Sequence, residues 1–367
     1  MEALDLPAVW FAIIAALFLG YFFLEGFDFG VGILMPAVSR DDVDRRVAIN
    51  TIGPVWDANE VWLIVAAGAM FAAFPEWYAT MFSGFYLPLL AILLALIARG
   101  VAFEYRGKRD DPTWRARWDK AIFFGSLIPA FLWGVAFASL LGGVPIDADS
   151  EYAGGVLDLL SPYALVGGVT SVSLFTLHGA VFLALKTTGA IARRAQRAAA
   201  LAWWPAAIST LGFLAWSFVR AAWTDDFGVV PDIVPIAAVV AIMGAGWLIR
   251  EGMAGLSFVA TGAAILGTFA TLFLNLYPRV MVSSLGDGYD LTIRNASSGE
   301  YTLAIMTWVA IFMAPVVLAY QGWSYWVFRH RVSREQLTGR PARATGGGEA
   351  PGAESGAGAG GTTRGEA

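Results

Sequence analysis

Four carboxylates lie inside stretches of the sequence that are otherwise apolar enough to cross a membrane. Glu25 and Asp28 occur in LEGFDFGVG, and Asp57 and Glu60 occur in GPVWDANEVW. A charged side chain at the centre of a bilayer costs about 2.5 to 3.5 kcal/mol even on insertion scales that give low penalties, so such residues usually have a functional role. The sequence therefore predicts a protein that handles protons or ions.

The spacing of these acids places them on shared helical faces. Glu25 precedes Asp28 by three residues, and Glu60 follows Asp57 by three, so each pair lies on one side of its helix. At about 1.5 Å per residue, Asp28 and Asp57 lie about 10 to 15 Å from the end of the hairpin that joins the two helices. We expect all four acids to form one cluster in that half of the membrane.

A cation and a further acid lie in the third apolar stretch. Arg99 precedes Phe103 by four residues, and Glu104 follows in RGVAFEYRGK. A guanidinium at that depth either extends to the membrane surface or pairs with a carboxylate. An acid without a cation favours its neutral form in apolar surroundings, which suits a group that loads and releases protons. A static network of ions and hydrogen bonds that holds helices together is the alternative.

A helical membrane scaffold is needed to position these residues, and the composition predicts one. The chain is 57% hydrophobic and 14% charged, and it has repeated apolar runs of about 20 residues. We predict an all-α polytopic membrane protein, with two four-helix bundles plus one extra helix. The nine predicted transmembrane helices lie near residues 7–38, 50–74, 79–103, 121–143, 161–186, 200–223, 232–251, 255–278 and 302–328.

The distribution of basic residues predicts how the chain is oriented. Lys and Arg collect after the first, third and fifth predicted spans and again in the C-terminal tail. Because basic loops stay in the cytoplasm, we expect the N-terminus outside and the C-terminus inside. The opening MEALDLP lacks the basic region and cleavage site of a signal peptide. Residues 1–332 are the predicted transmembrane domain, and the Gly- and Ala-rich residues 333–367 are a predicted disordered tail.

Cysteine and histidine usage restricts the metal chemistry. The chain has no cysteine, which excludes disulfides, thiolate metal sites and iron–sulfur clusters. Of its two histidines, His330 lies in a basic segment after the last span, and His178 lies in the middle of the fifth. One imidazole without companion ligands makes no specific site, so we expect His178 to hydrogen-bond to a neighbouring helix. We predict no metal site and no catalytic residue in this chain.

Small residues and a tryptophan accompany the acids. Gly26 and Gly30 form a small-xxx-small pair, which allows another helix to approach closely. Gly53 and Pro54 predict a turn at the start of the second span, close to Asp57. Trp56 flanks the acids and is a candidate for contact with a partner.

The segments GFDFGVG, GPVWDANEVWLI and FEYRGKRDDPTWRARWDKAIFFGS, in this order and spacing, resemble subunit II of the cytochrome bd quinol oxidases. The similarity continues through SGFY, LLGGVPID and MTWVAIFMAPVVLAY, and it covers essentially the whole membrane portion. Glu25 stands where some members have Asp, and Ala58 stands where Gly is usual. Both departures preserve the charge pattern.

The resemblance implies a subunit of a bacterial respiratory enzyme in the inner membrane, which oxidises quinol and reduces oxygen to water. It implies a heterodimer with a haem-bearing subunit I that carries haems b558, b595 and d. It also implies that subunit II stabilises subunit I and supplies protons from the cytoplasm. Some relatives hold a structural quinone in subunit II, and small accessory subunits are further candidate partners. Membrane lipid surrounds such a complex, and no nucleic acid is expected.

The resemblance also implies roles for single residues. Trp56 matches a tryptophan beside the subunit contact, and Arg99 matches a basic residue near the inner end that would serve as charge partner. Glu25 matches an acidic position with a longer side chain, and Glu60 joins the set through its place in the predicted cluster. The acids predicted for the proton pathway are Glu25, Asp28, Asp57, Glu60 and Glu104.

Two other functional classes remain open from the residues alone. In a proton-coupled secondary transporter, the same acids would bind the coupling ion near the midplane, although such folds usually repeat their broken helices in both halves. Here the acid-rich, glycine-interrupted helices occur only in the first half. In a pure assembly scaffold, the acids would be structural only.

Overall fold

The computed structural model describes residues 5–223 and 233–338, and this part of the chain is predominantly helical. The α-helices of the described residues are α1 (Leu6–Val38), α2 (Asp42–Ile52), α3 (Trp56–Ala73), α4 (Pro75–Gly84), α5 (Tyr86–Tyr105), α6 (Pro112–Gly142), α7 (Pro162–Lys186), α8 (Gly189–Trp223), α9 (Ile233–Arg250), α10 (Ala254–Leu276), α11 (Glu300–Val327) and α12 (Arg334–Thr338). Short 3-10 helices cover Arg106–Lys108, Val156–Leu159 and Asp287–Tyr289, and two strands are β1 (Arg279–Met281) and β2 (Leu291–Thr292).

The number of spans agrees with the sequence prediction. Within the described ranges, eight helices are long and apolar enough to cross a membrane, and α2 with α3 makes a ninth if this pair, bent by 45°, is one broken span. The turn predicted at Gly53 and Pro54 is confirmed, since α2 ends at Ile52 and α3 begins at Trp56. The polytopic all-α fold is therefore confirmed.

Several helices extend beyond their predicted bounds. α6 begins at Pro112 rather than near 121, because Asp111 caps it by accepting a hydrogen bond from the Thr113 backbone N–H at 2.8 Å. α8 likewise begins at Gly189 rather than near 200. The first turns of these two helices are polar, so a hydropathy scan, which detects only the apolar stretch, places the helix start too late.

The third predicted span is placed differently in the structure. Residues 75–78 are not a loop between spans, because they form the start of α4. Pro75 suits the first turn of this helix, where the backbone N–H groups have no partner within the helix, so its missing N–H costs no hydrogen bond. α4 ends at Gly84, and α5 starts after Phe85. The membrane-spanning candidate is Tyr86–Lys108 rather than 79–103.

The helices pack as two groups of four with one helix outside them. α1, α3, α5 and α6 form the first group, and α7, α8, α9 and α10 form the second, with α1 and α6 packed against α7 between them. α11 contacts mainly α1 and α3. Only 6% of its most apolar stretch is buried, against 72% for α7, so α11 presents nearly its whole surface to the surroundings of the chain.

A pair of glycines sets the crossing of α1 and α7. A Cβ atom on Gly30 would lie 2.8 Å from the Cα atom of Gly179, and a Cβ atom on Gly26 would lie 2.8 Å from the ring of Phe175. These positions exclude any larger side chain. The close approach that the sequence predicts for Gly26 and Gly30 is confirmed, and such packing is a main source of helix association in membranes.

The segment between α10 and α11 folds back over one face of the molecule. β1 pairs antiparallel with β2. The Val144 backbone N–H donates to the Val282 carbonyl at 3.0 Å, and the Ser298 N–H donates to the Ala73 carbonyl at 2.8 Å. These bonds fasten the segment to the ends of α6 and α3.

The opposite face carries ion pairs that hold α2 in place. Arg106 donates to Asp119 of α6 at 2.6 Å and to Asp42 of α2 at 2.8 Å. Arg194 of α8 reaches Asp44 of α2 at 2.5 Å. Because α2 leads directly into α3, this network fixes where α3 begins.

The chain after α11 returns to the same face. The Val332 backbone N–H donates to the Lys186 carbonyl at 2.7 Å, and Arg334 bonds to Asp41 at 2.7 Å and to Asp44 at 2.5 Å. The Arg334 guanidinium holds the pKa of Asp41 below its usual value. The predicted tail starts at 333, but residues 334–338 form α12, and 339–367 lie outside the described residues.

Candidate functional site

A buried arginine lies between two glutamates at the centre of the first helix group. Arg99 of α5 is 0% exposed and donates hydrogen bonds from Nη2 to Glu25 of α1 and to Glu60 of α3, the latter at 2.7 Å. The Glu25 side chain is also fully buried, whereas that of Glu60 is 20% exposed. The three side chains join three helices, and Glu60 forms the outer rim of the cluster.

The surroundings of Arg99 are aromatic and tightly packed. Its guanidinium carbon lies 4.7 Å from the centroid of the Phe29 ring and 5.8 Å from that of Phe103. A Cβ atom on Gly125 of α6 would lie 2.7 Å from the Cβ atom of Arg99. Cation–π attraction and this close approach both fix the position of the arginine.

Asp28 lies beside the triad and has a different partner. It is 0% exposed, and its Oδ2 atom accepts a hydrogen bond of 2.7 Å from the side-chain amide of Asn59. Its other oxygen, Oδ1, is buried and accepts no hydrogen bond from a donor in the described part of the chain, and the same is true of Oε2 of Glu25. The two carboxyl groups are close enough to hydrogen-bond to each other when one of them carries a proton. Such buried oxygens are strong acceptors for a proton, since leaving them unpaired is costly.

Asn59 also connects the cluster to α11. Its Oδ1 atom accepts a hydrogen bond of 2.7 Å from the Tyr325 hydroxyl and one of 3.2 Å from the Gln321 amide. Gln321 in turn accepts from the Trp62 indole N–H at 3.2 Å. A polar chain therefore runs from Asp28 through Asn59 to the helix that lies outside both groups.

The structure brings only part of the predicted site together. Glu25, Asp28 and Glu60 gather near Arg99, but the Asp57 side chain is exposed on α3, so the predicted cluster of four acids contains three. Residues three apart differ by about 60° around a helix, which is enough to turn one inward and the other outward.

The remaining predicted residues lie toward the basic end of the helices. Glu104 is exposed in the last turn of α5. Trp56 is half-buried, with its ring 5.2 Å from that of Phe103, and its edge covers Gly100, where a Cβ atom would lie 3.3 Å from the indole. Both residues therefore lie nearer to that end of the helices than the buried acids do.

His178 makes the hydrogen bond to a neighbouring helix that the sequence predicts. Its Nδ1 atom lies 2.7 Å from the hydroxyl of Thr261 on α10, and its ring stacks on Phe258 at 4.4 Å and 14°. Phe23 and Phe27 lie on other sides at 5.4 and 6.0 Å. Among the described residues, no group of three or more His, Asp or Glu could hold a metal ion.

The chain matches the family model for cytochrome bd terminal oxidase subunit II over residues 6–328. The chain belongs to this family. It is 48% identical over 335 residues to cytochrome bd ubiquinol oxidase subunit 2 of Bacillus subtilis, with 90% of this chain and 98% of the relative covered. It is 35% identical over 362 residues to cytochrome bd-I ubiquinol oxidase subunit 2 of Escherichia coli K12, with 90% and 96% covered.

A solved structure has the same fold. The bd oxidase from Geobacillus thermodenitrificans matches with a TM-score of 0.71 and 18% identity, covering 88% of this chain and 97% of that chain. The family match and the two relatives confirm the resemblance found in the motifs around Glu25 and Asp57. This chain is a membrane-embedded component of a terminal oxidase, which argues against the transporter that the residues alone left open.

Sequence reasoning missed the polar partners of Asp28. Asn59 lies between two conspicuous acids in WDANEVW, and its own role was not predicted. Gln321 and Tyr325 are four residues apart in the otherwise apolar α11. Polar residues at this spacing in a membrane helix commonly bond to another helix, and that signal was available in the sequence.

Proposed function

We propose that this chain is the non-haem subunit of a bacterial cytochrome bd-type quinol:oxygen oxidoreductase. In this proposal it stabilises the haem-bearing subunit I and conducts protons from the cytoplasm for the reduction of oxygen to water. Quinol and oxygen are substrates of the whole complex, and the haems belong to the partner subunit. A structural quinone and small accessory subunits remain further candidate components.

The observation that carries the proton route is the gathering of three acids, two of them fully buried, around one buried cation. Glu25 and Asp28 are fully buried, and each has one carboxylate oxygen that accepts from no donor in the described chain. One guanidinium cannot neutralise three carboxylates, so at least part of this cluster has capacity for protons.

The proposed route has an order set by exposure. Asp57 and Glu104 are exposed, Glu60 is partly exposed at the rim, and Glu25 and Asp28 are buried. Glu60 takes a proton from the solvent side, and Arg99 holds Glu60 and Glu25 toward each other. Glu25 and Asp28, three residues apart on α1, pass the proton on toward the partner subunit.

The charge distribution supports an orientation for this route. Arg45, Arg106 and Arg194 all make ion pairs in the network around α2, so these three basic residues lie on one face. By the positive-inside rule that face is cytoplasmic, with the N-terminus outside and the C-terminus inside. Protons drawn from the cytoplasm and released outside by quinol would give a charge difference across the membrane.

The uncovered side of α11 supports a partner. Its large apolar side chains are exposed in the isolated chain, including Trp308 at 64% and Phe312 at 69%. Exposing such a surface to water is unfavourable, whereas lipid or an apolar subunit would cover it. Contact of this surface and of Trp56 with subunit I would couple the two polypeptides.

Neutral variants of the buried acids test the proton route in the purified complex. Asp28→Asn and Glu25→Gln should slow quinol-driven oxygen consumption by at least tenfold while haem content and subunit ratio stay normal. The matched control is Asp290→Asn, which neutralises an acid that is 7% exposed and bonded to Ser283 on the opposite face. Full turnover in both cluster variants would favour the scaffold alternative.

A further inference from the structure

We infer that Asn59 is a positioning residue that ties the orientation of the Asp28 carboxyl group to the place of α11. The inference rests on the proposed proton route, because it concerns how one acid of that route is held. Asn59 itself titrates no proton. It acts through the hydrogen bonds of its side-chain amide.

The amide of Asn59 uses its whole hydrogen-bonding capacity. An asparagine side chain has two donors and an oxygen with two lone pairs. Here the nitrogen donates to Asp28 at 2.7 Å and to the Leu24 carbonyl at 3.4 Å, and the oxygen accepts from Tyr325 and Gln321. Rotating the amide by 180° would bring its oxygen against two acceptors and its nitrogen against two donors. Its orientation is therefore fixed from both sides.

The donors on α11 do more than fasten that helix. α11 is otherwise poorly buried against the described chain, so Tyr325 and Gln321 are among its few polar links to α3. A shift of α11 would release the oxygen of Asn59 and allow the amide to turn. Asp28 would then lose the hydrogen bond that the Asn59 nitrogen donates to it. The position of an exposed helix thus sets the hydrogen bonding of a buried acid.

The result for Asp28 is a carboxyl group with two unlike oxygens. Oδ2 accepts the hydrogen bond from Asn59, whereas Oδ1 accepts from no donor in the described chain and lies close enough to Glu25 to share a proton with it. A proton arriving at Asp28 would bind Oδ1, which then carries the O–H bond while Oδ2 keeps its hydrogen bond. The charged and titratable groups facing this site are Glu25 on its own helix, Glu60 on α3, Arg99 on α5 and, through Asn59, Tyr325 on α11.

Tyr325→Phe in the purified complex is the main test, with Tyr289→Phe as its matched control. Both remove one hydroxyl, but Tyr289 is 42% exposed in the segment between α10 and α11, whereas Tyr325 bonds to Asn59. The readouts are oxygen consumption and the carboxyl stretching band of Asp28 in infrared difference spectra, assigned by its loss in Asp28→Asn. We expect Tyr325→Phe to shift this band and slow turnover about three- to tenfold, the effect of one lost hydrogen bond.

Asn59→Leu, which has nearly the same volume and no amide, should shift the band further and slow turnover at least tenfold. Tyr289→Phe should leave both readouts at wild-type values. If Asp28→Asn slows turnover while Tyr325→Phe and Asn59→Leu keep the band and the rate, the positioning role is wrong and the proton route stands. If Asp28→Asn keeps full turnover, the proton route itself fails. Should Asn59→Leu not assemble, Tyr325→Phe decides alone.

Discussion

Removing the guanidinium of Arg99 should destabilise the protein strongly, and removing a carboxylate with it should restore part of the loss. Two unit charges about 4 Å apart interact by about 4 kcal/mol at an effective dielectric constant of about 20. Arg99 is fully buried and bonds to Glu25, which is also fully buried, and to Glu60. Breaking a buried ion pair by removing one partner costs about 3 to 5 kcal/mol, so Arg99→Met should lose this much.

The double variant separates an uncompensated charge from lost packing. Glu25→Gln in the Arg99→Met background removes the carboxylate that is left without its cation, and it should recover at least about 2 kcal/mol. Equilibrium unfolding of the purified complex in mixed detergent micelles measures both values. Arg117→Met, a change at an exposed arginine of α6, is the control and should stay within about 0.5 kcal/mol of wild type. Wild-type stability of Arg99→Met, or no recovery in the double variant, would refute the reasoning.

Three further changes test the packing, the histidine contact and the C-terminal segment. Gly30→Ala should lower the stability of the complex by about 1 to 3 kcal/mol through overpacking. Gly212→Ala is the control and should leave stability unchanged, since no atom lies within 4 Å of its added Cβ. The midpoint temperature of thermal unfolding is measured for both variants. Thr261→Val leaves a buried imidazole nitrogen without its partner and should cost about 1 to 3 kcal/mol in the same assay. Arg334 lowers the pKa of Asp41 in the folded protein. Their contact therefore stabilises the fold at pH values above the pKa of a free aspartic acid, about 3.9, and this stabilisation is lost as the pH falls through the lower pKa of the folded state. The rate of backbone hydrogen exchange in residues 329–338 should therefore rise below about pH 4 in the wild type. Arg334→Gln should abolish this pH-dependent rise. Because Asp41 lies at the surface, the contact contributes less than about 1 kcal/mol to stability.

The scaffold was largely predictable because its signals are local. Apolar runs of membrane length give the spans, and Gly53 with Pro54 gives the break between α2 and α3. The pairing of Arg99 with a carboxylate also follows from local reasoning, since a buried cation needs a partner.

The finer arrangement of the site depends on contacts that are distant in sequence. Asn59 meets Tyr325 across 266 positions, and no local pattern fixes which residue of α11 faces α3. The rotation of α3 about its own axis, set at the break after α2, decides which of its side chains face Arg99. Glu60 faces Arg99, and Asp57 lies on the exposed side of the helix. Ends of helices were missed for a similar reason, since caps such as Asp111 lie outside the apolar windows.

Proton uptake during a single turnover tests the proposed route most directly. The fully reduced complex is mixed with oxygen in the presence of a pH-sensitive dye, while the haem spectrum of the complex reports electron transfer. Asp28→Asn should take up protons at least tenfold more slowly than wild type, and Asp290→Asn should match wild type. Proton uptake at the wild-type rate in Asp28→Asn would contradict a path through the buried acids of α1.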